Sequence, residues 1–256
     1  MLPRASLYMC ELYLSSSDRP HFPEAELRLM QRHGGAPWTN LQGWGMAWWQ
    51  DGGGYALQKH PQPARGAAGY DGLLQSAYPS PVYLLHLRAA SSGGVSRANT
   101  QPYRFDWPDS SDKHEAVYLH NGELKGMAAK LVERFGRDPR EGDADSEGGM
   151  ELLRDRLLGT DTIDESWGIF RVWAQEMKAM GIANFIVGLG TDLFVHVHRR
   201  VELGGEAMDD TGLYMAQGGG RLRLSSEPMA ADDSPLESGT LLWIRGAEVR
   251  ERGLTS

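Results

Sequence analysis

The stretch Met9-Cys10-Glu11-Leu12-Tyr13-Leu14-Ser15 carries the only cysteine of the chain and runs straight from it into a strand-like segment, Glu11 to Ser15. A lone cysteine ordinarily serves as a small buried apolar residue. A cysteine directly behind a methionine has a second use, because a small residue there permits removal of an initiator methionine. Cys10 would then hold a thiol nucleophile and a free α-amine in one residue. An α-amine has a reference pKa of roughly 7.7–8.0 and a thiol about 8.5, so the two can exchange a proton near neutrality. Nucleophile and base are thus supplied together. Residues 1–9 read either as an upstream start assigned in error or as a short propeptide, and in both cases 10–256 forms one domain.

The composition sets bounds on this reading. A length of 256 residues at 41% hydrophobic supports a real core. The 32 glycines and 8 tryptophans favour a turn-rich, strand-rich architecture over a helical bundle. A net charge of −8 argues against nucleic-acid or anionic-membrane partners, which need clustered Lys and Arg. One cysteine excludes an intrachain disulfide and a thiolate-rich zinc site, and fits a reducing, cytoplasmic setting. No apolar run has the length of a membrane span.

Periodicity predicts strands first, then helices, then strands. After Glu11–Ser15 come a helix over Glu24–Arg32 and a loop over His33–Gln42. A hairpin of Trp44–Trp49 with Tyr55–Lys59 turns about Asp51-Gly52-Gly53-Gly54. Strands follow at Val82–Leu87 and Ala116–Leu119, with a polar loop, Ser91–Gln101, between them. Helices are expected at Leu124–Phe135, Glu147–Leu158 and from Asp164 or Glu165 to Met180. Phe185–Leu189 and Leu193–His198 read as a strand pair, and Leu213–Gln217, Arg221–Ser225 and Thr240–Arg245 as final strands. That order predicts an α+β fold with antiparallel sheets in layers.

Four clusters stand behind Cys10. His86-Leu87-Arg88-Ala89-Ala90-Ser91-Ser92-Gly93 ends a buried strand, where Arg88 either grips a carboxylate or anchors a loop carbonyl. Asn99-Thr100-Gln101-Pro102 is by itself an ordinary turn. His120-Asn121-Gly122 can aim an amide and a backbone N–H at one point, as an oxyanion requires, although Asn-Gly is also a common turn. Ala144-Asp145-Ser146-Glu147 opens a helix, where capping is the plain reading of Asp145 or Ser146.

In order and spacing these clusters, together with Arg32-His33-Gly34-Gly35, Gly43-Trp44-Gly45-Met46-Ala47 and Ser226-Glu227-Pro228, resemble the class II glutamine amidotransferase domain of the N-terminal-nucleophile hydrolases. The resemblance runs from about residue 9 to about 245. It is nearest to short, free-standing members such as the ergothioneine-pathway γ-glutamyl hydrolases. It implies a four-layer αββα sandwich of two antiparallel sheets and no cofactor. It implies that Cys10 attacks a γ-glutamyl amide to give a thioester, and that Asn121 and Gly122 hold the oxyanion. Arg88 would take the α-carboxylate and Asp145 the α-ammonium, with Ser91 and His120 also lining the substrate. Ser91-Ser92 departs from the Thr-His that the family often carries. Three functions follow from the resemblance: hydrolysis of a γ-glutamyl metabolite for its own sake, a glutaminase that delivers ammonia to a separate synthase subunit, or an inactive relative that binds a ligand or partner. Homo-oligomers fit all three.

The remaining candidates are bland. His196 and His198 fall on the same side of a strand and read as exposed residues, not metal ligands. Trp44 and Trp48-Trp49 read as core and pocket wall, and His33 and His86 as structural.

Overall fold

Strand alternation in β1 (Glu11–His21) divides its side chains between two cores. Leu12 and Leu14 enter one apolar cluster and Tyr13 another, all fully buried. The computed structural model describes residues 10–90, 93–108, 113–198 and 212–255. After β1 come α1 (Glu24–His33), β2 (Trp44–Trp49), β3 (Tyr55–His60), α2 (Ala68–Ser76) and β4 (Ser80–Leu87). β5 (Tyr103–Pro108) and β6 (Lys113–Leu124) follow, then α3 (Met127–Phe135), α4 (Asp145–Leu157) and α5 (Ile163–Met180). The chain closes with β7 (Gly181–Leu189), β8 (Asp192–His196), β9 (Tyr214–Gly218), β10 (Arg221–Ser225), β11 (Ser234–Pro235), β12 (Thr240–Arg245) and β13 (Glu248–Leu254).

Among the described residues these strands form two antiparallel sheets, ordered β11-β9-β10-β1-β4-β2-β3 and β13-β12-β8-β7-β6-β5. The sheets face each other across Leu12, Leu14, Leu84, Leu119, Ile186 and Val195. Helices α1 and α2 cover the first sheet through Leu27, Met30 and Tyr70. Helices α3 to α5 cover the second through Leu131, Leu153 and Trp173. The result is the α+β, four-layer αββα sandwich expected above.

Several local expectations change. His120-Asn121-Gly122 is not a turn: β6 continues to Leu124, with Asn121 opposite Asn184 and Gly122 opposite Ala183 in β7. The helix expected from Leu124 therefore starts at Met127. Helix α2 was not anticipated because Gly69 and Gly72 weaken its helical signal. Strand β5 is an addition to the expected elements, with Tyr103, Phe105 and Trp107 buried in alternation with exposed Arg104 and Asp106. The edge strand β13 is polar and lacks the apolar alternation that would mark it in the sequence. His196 is fully buried, not exposed: its ring bonds Ala183 O at 2.6 Å and Thr255 Oγ1 at 3.2 Å. Burial lowers its pKa to about 4.

Candidate active site

Cys10 sits immediately ahead of β1, and its side chain shares the parity of Leu12 and Leu14, which face the other sheet. The neighbouring strand β4 ends at Leu87, so the chain leaving it passes beside the thiol. Sγ donates to Ala89 O at 3.3 Å and accepts from Ala89 N–H at 3.4 Å. Burial raises the thiol pKa to about 11; Arg88 pulls it down and Asp145 pushes it up. The thiol therefore feels one fixed cation and one fixed anion, and at neutral pH it keeps its proton.

Arg88 is buried. Its guanidinium donates to Gly94 O at 2.9 Å and Gly93 O at 3.3 Å, and its backbone is held by Gly43 O and Gln42 N. The loop-anchoring reading is thus part of what Arg88 does. Asp145 opens α4, but it is not the cap. Ala144 occupies that position with no side-chain cap bond. Asp145 Oδ2 instead accepts from Leu124 N–H at 2.6 Å, which ties the end of β6 to the start of α4. Ser146 does not cap either; its hydroxyl meets His120 Nδ1 at 2.8 Å. Ser91 lies outside the described residues.

His120 points to the helical side of its sheet, not between the sheets. Its Nε2 meets Ile182 O at 3.0 Å. A carbonyl can only accept, so Nε2 carries the proton and Nδ1 receives the Ser146 hydroxyl. Burial lowers the pKa of the ring, which suits this neutral tautomer. With both nitrogens engaged inside the protein, His120 braces the site and offers a ligand no free ring nitrogen in this arrangement.

Gln101 organises the edge of β6. Its amide accepts from His120 N–H at 2.6 Å and donates to His120 O at 3.0 Å. Strand β5 begins at Tyr103 opposite Tyr118, so the β6 edge beyond it has no strand partner there. His120 N–H on this edge goes to Gln101 and Leu124 N–H to Asp145. Strand alternation puts Gly122 N–H on the same edge, between those two. Gly122 has to be glycine: a Cβ there would lie 1.9 Å from Ile182 O and 2.7 Å from His120 Nε2. Asn121, on the face between the sheets, donates through Nδ2 to Ser226 Oγ at 3.3 Å, and its Oδ1 is buried without a partner. Its backbone carbonyl takes Asn184 Nδ2 at 3.2 Å. The arrangement offers an amide and a backbone N–H from adjacent residues at the open end of a sheet.

Three supporting groups had no assigned role from sequence. Ser226 accepts from Leu12 N–H at 2.9 Å and from Asn121 Nδ2, joining the first strand to the Asn-Gly pair. Glu11, beside the nucleophile, is buried and accepts from Asn40 Nδ2 at 2.6 Å while pairing with His33 Nδ1 at 2.8 Å. Lys59 donates to Thr100 O at 2.6 Å and lies over the Tyr103 ring, and burial lowers its pKa to about 8. The quoted motifs contained Glu11, His33 and Ser226, but their contacts span up to 214 positions of sequence, beyond any local pattern. His86 faces the space between the sheets with neither ring nitrogen hydrogen-bonded; burial, with Arg88 nearby, lowers its pKa to about 3.

Among the described residues no group of His, Cys, Asp and Glu is placed to hold a metal ion, and no helix is long and apolar enough to cross a membrane.

The family profile of class II glutamine amidotransferases matches residues 9–204. The chain therefore belongs to that family, whose members hydrolyse the amide of glutamine. No curated protein sequence matches. Among solved structures, the chain is similar to glutamine phosphoribosylpyrophosphate amidotransferase from B. subtilis, complexed with ADP and GMP, at 18% identity and a TM-score of 0.65. It covers 96% of this chain but 49% of that one, so this chain spans about half the length of that relative. It is also similar to a glutamine aminotransferase class-II domain protein from Silicibacter pomeroyi, at 16% identity and a TM-score of 0.62, covering 96% of this chain and 100% of the other. A structure described as a predicted glutamine amidotransferase from Pseudomonas aeruginosa matches at 17% identity and a TM-score of 0.56, over 95% and 99% of the two chains. At these identities the structures establish a shared fold.

Proposed function

We propose that this protein hydrolyses a γ-glutamyl amide, glutamine or a γ-glutamyl metabolite, through a thioester on Cys10, and that its active form begins at Cys10. The observation that carries the reading is the contact of the Cys10 thiol with the Ala89 backbone, directly after Arg88, with the Asp145 carboxylate also acting on the thiol. A zwitterionic amino-acid head needs one fixed cation and one fixed anion, and a charge of each sign acts on the thiol of the only cysteine. Arg88 takes the α-carboxylate and Asp145 the α-ammonium. The scissile amide then reaches Sγ.

With the thiol held up to about 11, a base must take its proton as it attacks. The α-amine of a chain beginning at Cys10 is in the same residue. It accepts the thiol proton and delivers it to the departing nitrogen. Sulfur bonds the carbonyl carbon, and the carbonyl oxygen becomes an oxyanion facing Asn121 Nδ2 and Gly122 N–H. The C–N bond breaks and releases ammonia or an amine. Water, deprotonated by the same α-amine, attacks the thioester, frees glutamate and returns the proton to sulfur. Each oxyanion donor is worth roughly 10²–10³ in turnover. His120 positions Gly122 and α4 and takes no proton.

The test is the intact mass of the protein made in its native host, followed by glutaminase and γ-glutamyl-amide assays. A mass beginning at Cys10, turnover, and labelling by a glutamine-like electrophile that Cys10→Ala abolishes are expected. A processed chain that neither turns over any γ-glutamyl amide nor is labelled would overturn the reading. Activity on bulky γ-glutamyl amides with none on glutamine would assign a metabolite hydrolase. The reverse would favour ammonia delivery to a separate synthase.

A further inference from the structure

Asn99 is buried and spends its whole side-chain amide on tying its own loop to the segment that precedes α4. Nδ2 donates to Gly94 O at 2.9 Å and to Asp143 Oδ1. Oδ1 accepts from Asp143 N–H at 2.9 Å and Ala144 N–H at 3.1 Å. Asp143 closes the ring by accepting from Gly94 N–H at 3.1 Å through Oδ1. An amide side chain has two N–H groups and one oxygen with two lone pairs, so all four capacities are filled.

The two ends of this network are the two charges of the site. Gly94 O also receives the Arg88 guanidinium at 2.9 Å. Ala144 immediately precedes Asp145 at the start of α4. A continuous path therefore runs from the Arg88 cation through Gly94, Asn99 with Asp143, and Ala144 to the Asp145 anion. The path has no slack. A Cβ at Gly93 would lie 2.7 Å from Asp143 Oδ1, and one at Gly142 would lie 2.1 Å from Asn99 Oδ1. Glu147 pins the same loop by accepting from Glu141 and Gly142 N–H at 2.7 and 2.8 Å. The hydrogen bonds from Asn99 and Gly94 hold the Asp143 carboxyl below its ordinary range, so it is the acceptor-only carboxylate the network needs.

We propose that Asn99 and Asp143 are positioning residues that fix the separation of Arg88 and Asp145, and thereby make the site specific for a head group carrying both an α-carboxylate and an α-ammonium. The proposal rests on the function argued above. Neither residue touches the reacting atoms. Their effect falls on binding, because a preset spacing spares the ligand the cost of ordering the two loops. A ligand with only one of the two charges can seat itself on either partner alone and gains little from the spacing.

The experiment uses Cys10→Ala protein in the processed form that begins at residue 10, so that binding is read without turnover. Calorimetry compares L-glutamine with glutaramate, which keeps the carboxylate and lacks the α-ammonium. Adding Asn99→Ala or Asp143→Ala should weaken glutamine about 10- to 100-fold, the scale of weakening a hydrogen bond to a charged group. Glutaramate should change less than about threefold, so that the preference between the two collapses. In the Cys10 enzyme the same changes should raise KM for glutamine with kcat nearly kept, as lost uniform binding does. Equal losses for both ligands, an unchanged glutamine affinity, or no glutamine binding to Cys10→Ala would each overturn the proposal. Should Asn99→Ala fail to fold, Asp143→Ala, at an exposed loop position, decides the matter alone. Absence of turnover in the processed wild type would overturn the catalytic reading separately, with the binding comparison still deciding the role of Asn99.

Discussion

Ser226→Ala removes a single oxygen that serves both the first strand and the Asn-Gly pair. Strand β10 ends at Ser225, and Ser226 extends its pairing with β1: its N–H donates to Leu12 O at 3.0 Å, and its hydroxyl accepts from Leu12 N–H at 2.9 Å. Leu12 is fully buried, so the substitution orphans a buried N–H, at a cost of about 1–3 kcal/mol. For a chain of this size each kcal/mol shifts Tm by roughly 2–4 °C, so a fall of about 5 °C is expected. The same oxygen orients Asn121 Nδ2. Its loss leaves that donor present but loose, so kcat should fall by less than the roughly 10²–10³ of deleting an oxyanion donor, about tenfold or somewhat more. Ser225→Ala is the control, because the buried Ser225 hydroxyl has no hydrogen-bond partner and its removal should be neutral or slightly stabilising. Thermal melts and initial rates on glutamine read both effects. If Ser226→Ala and Ser225→Ala behave alike in Tm and in kcat, the bridging role of Ser226 is refuted.

Other outcomes follow from the same geometry. Gly122→Ala places a Cβ 1.9 Å from Ile182 O on the neighbouring strand, so it should prise β6 from β7. Overpacking of this kind costs about 1–3 kcal/mol or more, and a melt within about 2 °C of wild type would contradict it. His86 and His196 have folded pKa values lowered to about 3 and about 4, against roughly 6.5 when unfolded. The unfolded chain binds more protons between those values, so stability is fully present above about 6.5 and falls as pH drops toward 4 and then 3. Urea midpoints across that range should show the loss, and His86→Leu should flatten part of it. Lys59→Met removes the donor to Thr100 O and should lower Tm and loosen the Gln101 clamp on His120. A variant with unchanged Tm and unchanged turnover would show that the neighbouring loop holds itself.

The local settings of the residues in the proposed site can be read in the sequence: Cys10 ahead of a strand, Arg88 at a strand end, Asn121-Gly122 behind an apolar strand, and Asp145 at a helix start. So was the layered α+β character, because alternation and helical periodicity are local properties. What those residues do depends on partners far along the chain. Asn-Gly looks like a turn until β7 is known to lie alongside and to leave no space for a Cβ at residue 122. Asp145 looks like a cap until its carboxylate is seen holding Leu124. His196 looks exposed until Ala183 of β7 and Thr255 near the C-terminus are seen to take its ring, and Ser226 and Asn99 acquire roles only through contacts across 214 and 45 positions. Local sequence decides which backbone conformation and which chemistry a residue can supply. Only tertiary packing decides which hydrogen-bonding groups lose water and must find each other, and that sets the spacing of the charges around Cys10.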